Sequence, residues 1–129
     1  MVNVLVVDDD DAWRLTLKDW FEPKAVHVIG CSHGDWAVTA INTHRPDLVL
    51  LDVNLPGRNG LEVLQSVRHR WPALPVIVTT AFGGADVEES ALRHGANAYI
   101  GKPFRMDRLL ALVRRLAGTP DGHERAGAP

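Results

Sequence analysis

The 129-residue chain has a single cysteine, Cys31, so it can form no internal disulfide; this points to a reducing compartment such as the cytoplasm. Cys31 ends an apolar stretch and reads as a small core residue. No apolar run approaches the roughly 18–20 residues needed to cross a bilayer. The first residues enter an apolar stretch directly, without the basic region and small-residue cleavage site of a secretory leader. A basic excess is also missing. The net charge is −2 and the isoelectric point is near 6.3, which argues against direct contact with nucleic acid. The six histidines show no metal-ligand spacing, and the chain has no internal repeat.

What the chain does have is an uneven charge and an alternating pattern. Residues 1–64 hold ten acids against five bases, and four of the acids form one run, Asp8 to Asp11. Apolar segments at 2–7, 26–31, 48–51, 76–79 and 98–100 predict strands, several of them short and Val/Ile/Leu-rich as expected of strands covered on both faces. Amphipathic spacing between them predicts helices. Trp13, Leu17, Trp20 and Phe21 mark the first, Ala37, Ala40 and Ile41 the second, and Leu61, Leu64, Val67 and Trp71 the third. The fourth is expected over 86–94, opened by the capping-box-like pair Asp86 and Glu89 and stopped by Gly95. Met106, Leu109, Leu110, Val113 and Leu116 mark the fifth. The repeated strand–helix order implies an α/β fold, a parallel sheet sandwiched by helices. Its length fits one domain over 1–117, followed by a Gly/Pro/Ala-rich tail or linker stub over 118–129.

In such sheets, sites form beyond the carboxyl ends of the strands. Asp8 and Asp9 follow the first expected strand, Asp52 the third, Thr80 the fourth and Lys102 the fifth. Taken singly, each has an ordinary explanation: a helix cap (Asp10 or Asp11), a β-forming threonine, a surface lysine. Together they place three carboxylates, a hydroxyl and an ammonium on one sheet edge. Crowded carboxylates repel unless cations intervene. Mg²⁺, which favours carboxylate and carbonyl oxygens, suits the group. Asp52 is then a plausible nucleophile toward phosphorus, with Lys102 as a second cation and Thr80 as a donor to a phosphate oxygen.

The segments Val4-Leu5-Val6-Val7-Asp8-Asp9, Asp47-Leu48-Val49-Leu50-Leu51-Asp52, Leu55-Pro56-Gly57-x-Asn59-Gly60, Thr80-Ala81 and Tyr99-Ile100-Gly101-Lys102-Pro103-Phe104 occur in this order. Over residues 2–116 the chain resembles the receiver domain of two-component response regulators. The resemblance implies the flavodoxin-like (βα)5 doubly wound fold with strand order 2-1-3-4-5, an arrangement the receiver family itself exemplifies. It implies a phosphoacceptor at Asp52 that takes its phosphoryl group from a histidine kinase or a histidine phosphotransfer protein. Asp9, Asp52 and the Asn54 carbonyl would be direct Mg²⁺ ligands, with Asp8 acting mainly through metal-bound water. It also implies a cis peptide between Lys102 and Pro103, and a Thr80–Tyr99 switch that remodels the surface of the fourth helix, fifth strand and fifth helix. The reader of that surface would be an output protein, a fused output domain, or a second copy in a phosphorylation-dependent homodimer. Such a chain catalyses only its own phosphorylation and dephosphorylation and is not a conventional enzyme.

Asn54 and Phe82, two past the acceptor and two past the threonine, occupy positions expected to tune the phosphorylation lifetime. Phe82 either shields the acceptor from water or anchors its loop on the fourth helix. Arg105 departs from the family's preference for a capping Asp, Asn or Ser before the last helix, and Asp107 would compensate through the helix dipole. Packing is the expected role of all four tryptophans. Two other functions compete. A haloacid-dehalogenase-type phosphatase wants an acid where Asn54 stands, and a phosphorylation-independent interaction module has no need of the intact acidic set.

Overall fold

The computed structural model describes residues 1–54 and 59–118; Leu55, Pro56 and Gly57 of the motif above, and residues 119–129 of the expected tail, lie outside the described residues. Five strands alternate with five helices: β1 (Val2–Val7), α1 (Asp11–Phe21), β2 (Val26–Cys31), α2 (Ala37–His44), β3 (Leu48–Asp52), α3 (Gly60–Arg70), β4 (Val76–Thr80), α4 (Ala85–Arg93), β5 (Ala98–Gly101) and α5 (Met106–Ala117). All the strand pairs are parallel and the order is β2-β1-β3-β4-β5, the doubly wound flavodoxin-like topology.

The period of two in the strands decides which helix covers which face. Leu5 and Val7 of β1, Val49 and Leu51 of β3, and Val76 and Val78 of β4 point to the side of Ile41, Leu64, Val67 and Ala91, on α2, α3 and α4. Val4, Val6, Leu48, Leu50 and Ile77 point to the opposite side, where Leu17, Phe21, Leu109 and Val113 of α1 and α5 pack. β3 and β4 are buried along their whole length, as expected of central strands covered on both faces.

The helix ends follow local chemistry. Asp10 caps α1 by accepting the Trp13 N–H at 3.1 Å. Asn59 caps α3 by accepting the Leu61 N–H at 2.8 Å. The expected capping box of α4 is corrected: the helix starts at Ala85, Gly84 is its N-cap, and no side chain caps it. Asp86 therefore lies inside the first turn, where its charge meets the positive helix end instead of bonding a backbone N–H. Gly95 does end that helix, with φ +107, and the Ala96 N–H returns to the Ala91 carbonyl at 3.0 Å. Arg105 caps α5 without a side-chain bond, and its guanidinium instead pairs with Asp107 at 3.0 Å.

Gly60 answers a crowding requirement. A Cβ there would lie 2.2 Å from the Val53 Cα, so only glycine lets α3 begin against the end of β3. This close approach sets where the chain leaves the edge that carries Asp52.

Candidate functional site

The site lies where the strand order reverses, at the carboxyl ends of β1, β3, β4 and β5. β1 and β3 are neighbours with Val7 opposite Leu51, so Asp8 and Asp52 stand side by side one step further on. Asp52 pairs in register with Thr79, and Thr80 with Gly101, which brings Thr80 and Lys102 to the same rim.

Asp8 and Asp52 are 2 % and 6 % exposed, an unusual burial for carboxylates. Asp9 is exposed, yet its carboxylate still meets theirs: one oxygen from each of the three lies within 4.8 Å of the others. Lys102 reaches across from the end of β5. Its Nζ donates to Asp8 Oδ2 at 2.7 Å and to Asp52 Oδ2 at 3.1 Å. Backbone donors satisfy the other oxygens: the Asp10 N–H on Asp8 Oδ1 at 3.0 Å and the Asn54 N–H on Asp52 Oδ1 at 2.8 Å.

The electrostatics follow from this crowding. Burial pushes the Asp52 carboxyl above the ordinary carboxylate range. The Asn54 N–H and Lys102 pull it back only in part, and the charge of Asp8 adds to the rise. Burial also pulls the Lys102 ammonium down, but its bond to Asp8 and the charges of Asp52 and Asp8 outweigh this and leave its pKa raised. Two buried acids share one cation. This donor set of hard carboxylate oxygens with unbalanced negative charge fits a divalent ion such as Mg²⁺.

Thr80 is 2 % exposed, and its Oγ1 accepts the Phe82 N–H at 3.2 Å. Tyr99 sits beside the β4–α4 loop, half-buried. The Lys102–Pro103 peptide is cis. Phe82 is 76 % exposed, which rules out its alternative role as a loop anchor on α4. Trp36, at 62 % exposed, likewise departs from the packing expected of it, because it lies in the 3-10 turn ahead of α2, off the helix face that meets the sheet.

Two supports around the site were missed from the sequence. Arg14 donates to the Asp8 carbonyl at 2.5 Å and also binds Asp11, which fixes the acidic run against α1. Trp13 stands 5.5 Å from Lys102 Nζ by ring centroid and meets Phe104 edge-on at 5.5 Å, so an aromatic wall flanks the lysine. Helical spacing from Asp10 could have flagged Arg14; Phe104 needed the fold.

The family model for the response regulator receiver domain matches residues 4–114. The chain is 35% identical over 113 residues to the DNA-binding transcriptional regulator NtrC of Proteus hauseri, covering 88% of this chain and 24% of that protein. It is 38% identical over 126 residues to the response regulator protein FleR of Pseudomonas aeruginosa, covering 97% and 27%. It thus spans about a quarter of the length of these curated relatives. Among solved structures, a CheY-like receiver domain protein from Methanospirillum hungatei superposes with a TM-score of 0.87 at 25% identity, covering 97% of this chain and 98% of that one. The receiver domain of NtrX from Brucella abortus superposes with a TM-score of 0.82 at 34% identity, covering 88% and 97%.

Proposed function

Since this chain belongs to the response regulator receiver family, whose general function is to be phosphorylated on an aspartate, we propose that Asp52 is its phosphoacceptor. One observation carries the assignment. Asp52 is a buried carboxylate at a strand end, bonded to Lys102 at 3.1 Å and grouped with Asp8 and Asp9 within 4.8 Å. The receiver unit is residues 1–117, and the family match over 4–114 together with the end of α5 at Ala117 supports that extent.

In the reaction an Asp52 oxygen forms a bond to phosphorus while the P–N bond of a donor phosphohistidine breaks. The electron pair stays on the imidazole nitrogen, which takes a proton from solvent. Lys102 offsets negative charge gathering on the phosphoryl oxygens. The Thr80 hydroxyl, whose oxygen already accepts from Phe82, has its hydrogen to give to one of those oxygens. Asp8, Asp9, Asp52 and the Asn54 carbonyl would hold Mg²⁺, which supplies charge neutralisation when bound. Thr80 and Tyr99 would then form the switch that a partner reads, working through a shift of two pre-existing states.

The partners are a histidine kinase or a histidine phosphotransfer protein on the donor side. On the output side they are a separate protein, a fused domain or a second copy of this chain. The chain catalyses only its own phosphoryl transfer and its own dephosphorylation, and it works in the cytoplasm; no described helix is long and apolar enough to cross a membrane. Incubation with acetyl phosphate and magnesium should add one phosphoryl group by intact mass, and omitting magnesium should suppress it. A chain that stays unmodified in both conditions refutes the reading.

Phe82 and Asn54 set how long the phosphoryl group lasts. Phe82 is apolar and exposed just past Thr80. Replacing it with glutamate supplies a group able to orient water, and phospho-Asp52 is expected to decay faster by up to about 100-fold, the low end of a general-base contribution. Decay followed by intact mass at equal rates in both proteins would remove Phe82 from this role.

A further inference from the structure

The Tyr99 hydroxyl occupies space left open by Gly83. A Cβ built on Gly83 would lie 1.7 Å from the Tyr99 hydroxyl and 3.0 Å from both Tyr99 Cζ and Thr80 Cγ2. A Cβ on Gly101 would lie 3.4 Å from the same hydroxyl, an ordinary contact. Gly83 is not needed for its backbone: among the described residues only Gly95 and Gly118 are glycines of positive φ. Its missing methyl is therefore a matter of room. The neighbouring Gly84 has nothing within 4 Å of where its Cβ would stand. Tyr99 also lines a groove with Glu88 and Leu92 of α4 and Arg108 and Leu112 of α5. That groove offers room to a ring displaced from the slot.

We propose that Gly83 is the positioning residue of the switch: the space its absent methyl leaves is the space the Tyr99 hydroxyl fills, and filling it expels the ring onto the α4–β5–α5 surface. The inference rests on the reading of Thr80 and Tyr99 as a switch. Because the displaced group is the far end of a side chain, the clash is relieved by a ring movement and not by unfolding.

Tyr99 is the only tyrosine in the chain, so 3-fluorotyrosine labelling gives one fluorine NMR signal that reports this ring alone. In the wild type that resonance should lie well away from its position in the urea-unfolded chain. Gly84→Ala should leave it in place, Gly101→Ala should shift it slightly, and Gly83→Ala should carry it most of the way to the unfolded position, with no return on adding beryllofluoride and magnesium. A Gly83→Ala signal that coincides with the wild type overturns the proposal. If Gly83→Ala does not fold, the double variant Gly83→Ala/Tyr99→Ala decides: normal folding of the double supports the slot, and equal failure overturns it. Failure of the wild type to take a phosphoryl group from acetyl phosphate would instead strike the functional reading, while the fluorine comparison would still test the slot.

Discussion

Replacing Lys102 with methionine is expected to cost about 3 kcal/mol of stability at neutral pH without divalent ions, the low end of the range for breaking a buried ion pair. The ammonium bridges Asp8 and Asp52, and both carboxylates are more than nine-tenths buried. Methionine keeps most of the side-chain volume, so the loss is one of charge and not of packing. The lysine side chain is itself 20% exposed, and water reaching the gap offsets part of the loss. Two buried carboxylates without their lysine can be relieved by a proton, so the gap from wild type should narrow as the pH is lowered. Millimolar magnesium should narrow it too, by binding the folded state alone. Labelling by acetyl phosphate should fall about 100-fold, the cost of removing one preorganised donor from a developing anion. Urea midpoints that coincide for the two proteins in EDTA would mean that Lys102 does not hold this cluster together.

The fold was legible because β1, β3 and β4 are nearly continuous in Val, Ile and Leu and most of the helices carry an apolar stripe. Strand ends extended by one residue at Asp52, Thr80 and Gly101, the polar or small residues that a hydrophobic count stops short of. The start of α4 was misread because Asp86 and Glu89 imitate a capping box, whereas the N-cap lies two residues earlier, at Gly84. Parallel topology carries residues far apart in sequence to one rim, so Asp8, Asp52, Thr80 and Lys102 could be placed there from their strand-end positions alone. Their division of labour could not. That Lys102 bonds Asp8 more closely than Asp52, and that Gly83 leaves the room Tyr99 occupies, depend on side-chain packing across elements with no periodic trace in the chain.

Asp52→Asn should have the opposite sign on stability while abolishing acceptance of the phosphoryl group. Asparagine can still accept the Asn54 N–H that now bonds Asp52 Oδ1 at 2.8 Å, and Lys102 keeps Asp8 at 2.7 Å. One buried ammonium then faces one buried carboxylate, and the surplus charge is gone. The sign with pH follows from the raised carboxyl of Asp52, whose first cause is burial. Between the unfolded value near 3.9 and the higher folded value, the native state binds more protons than the unfolded chain. Wild-type stability therefore falls as the pH rises through that window, and this contribution is relieved on acidification. In EDTA at neutral pH the variant is expected to be more stable than wild type by up to about 1 kcal/mol, a gain beyond the usual scatter of surface substitutions. The advantage should shrink as the pH is lowered through that window and Asp52 takes up its proton. Magnesium should stabilise the wild type more than the variant, because the variant has lost a carboxylate ligand. Labelling should drop by at least about 100-fold, since an amide oxygen is a poor nucleophile toward phosphorus. A variant that is less stable than wild type in EDTA at neutral pH would show that the carboxylates of this rim are not in surplus. A variant still phosphorylated at the wild-type rate would place the acceptor elsewhere.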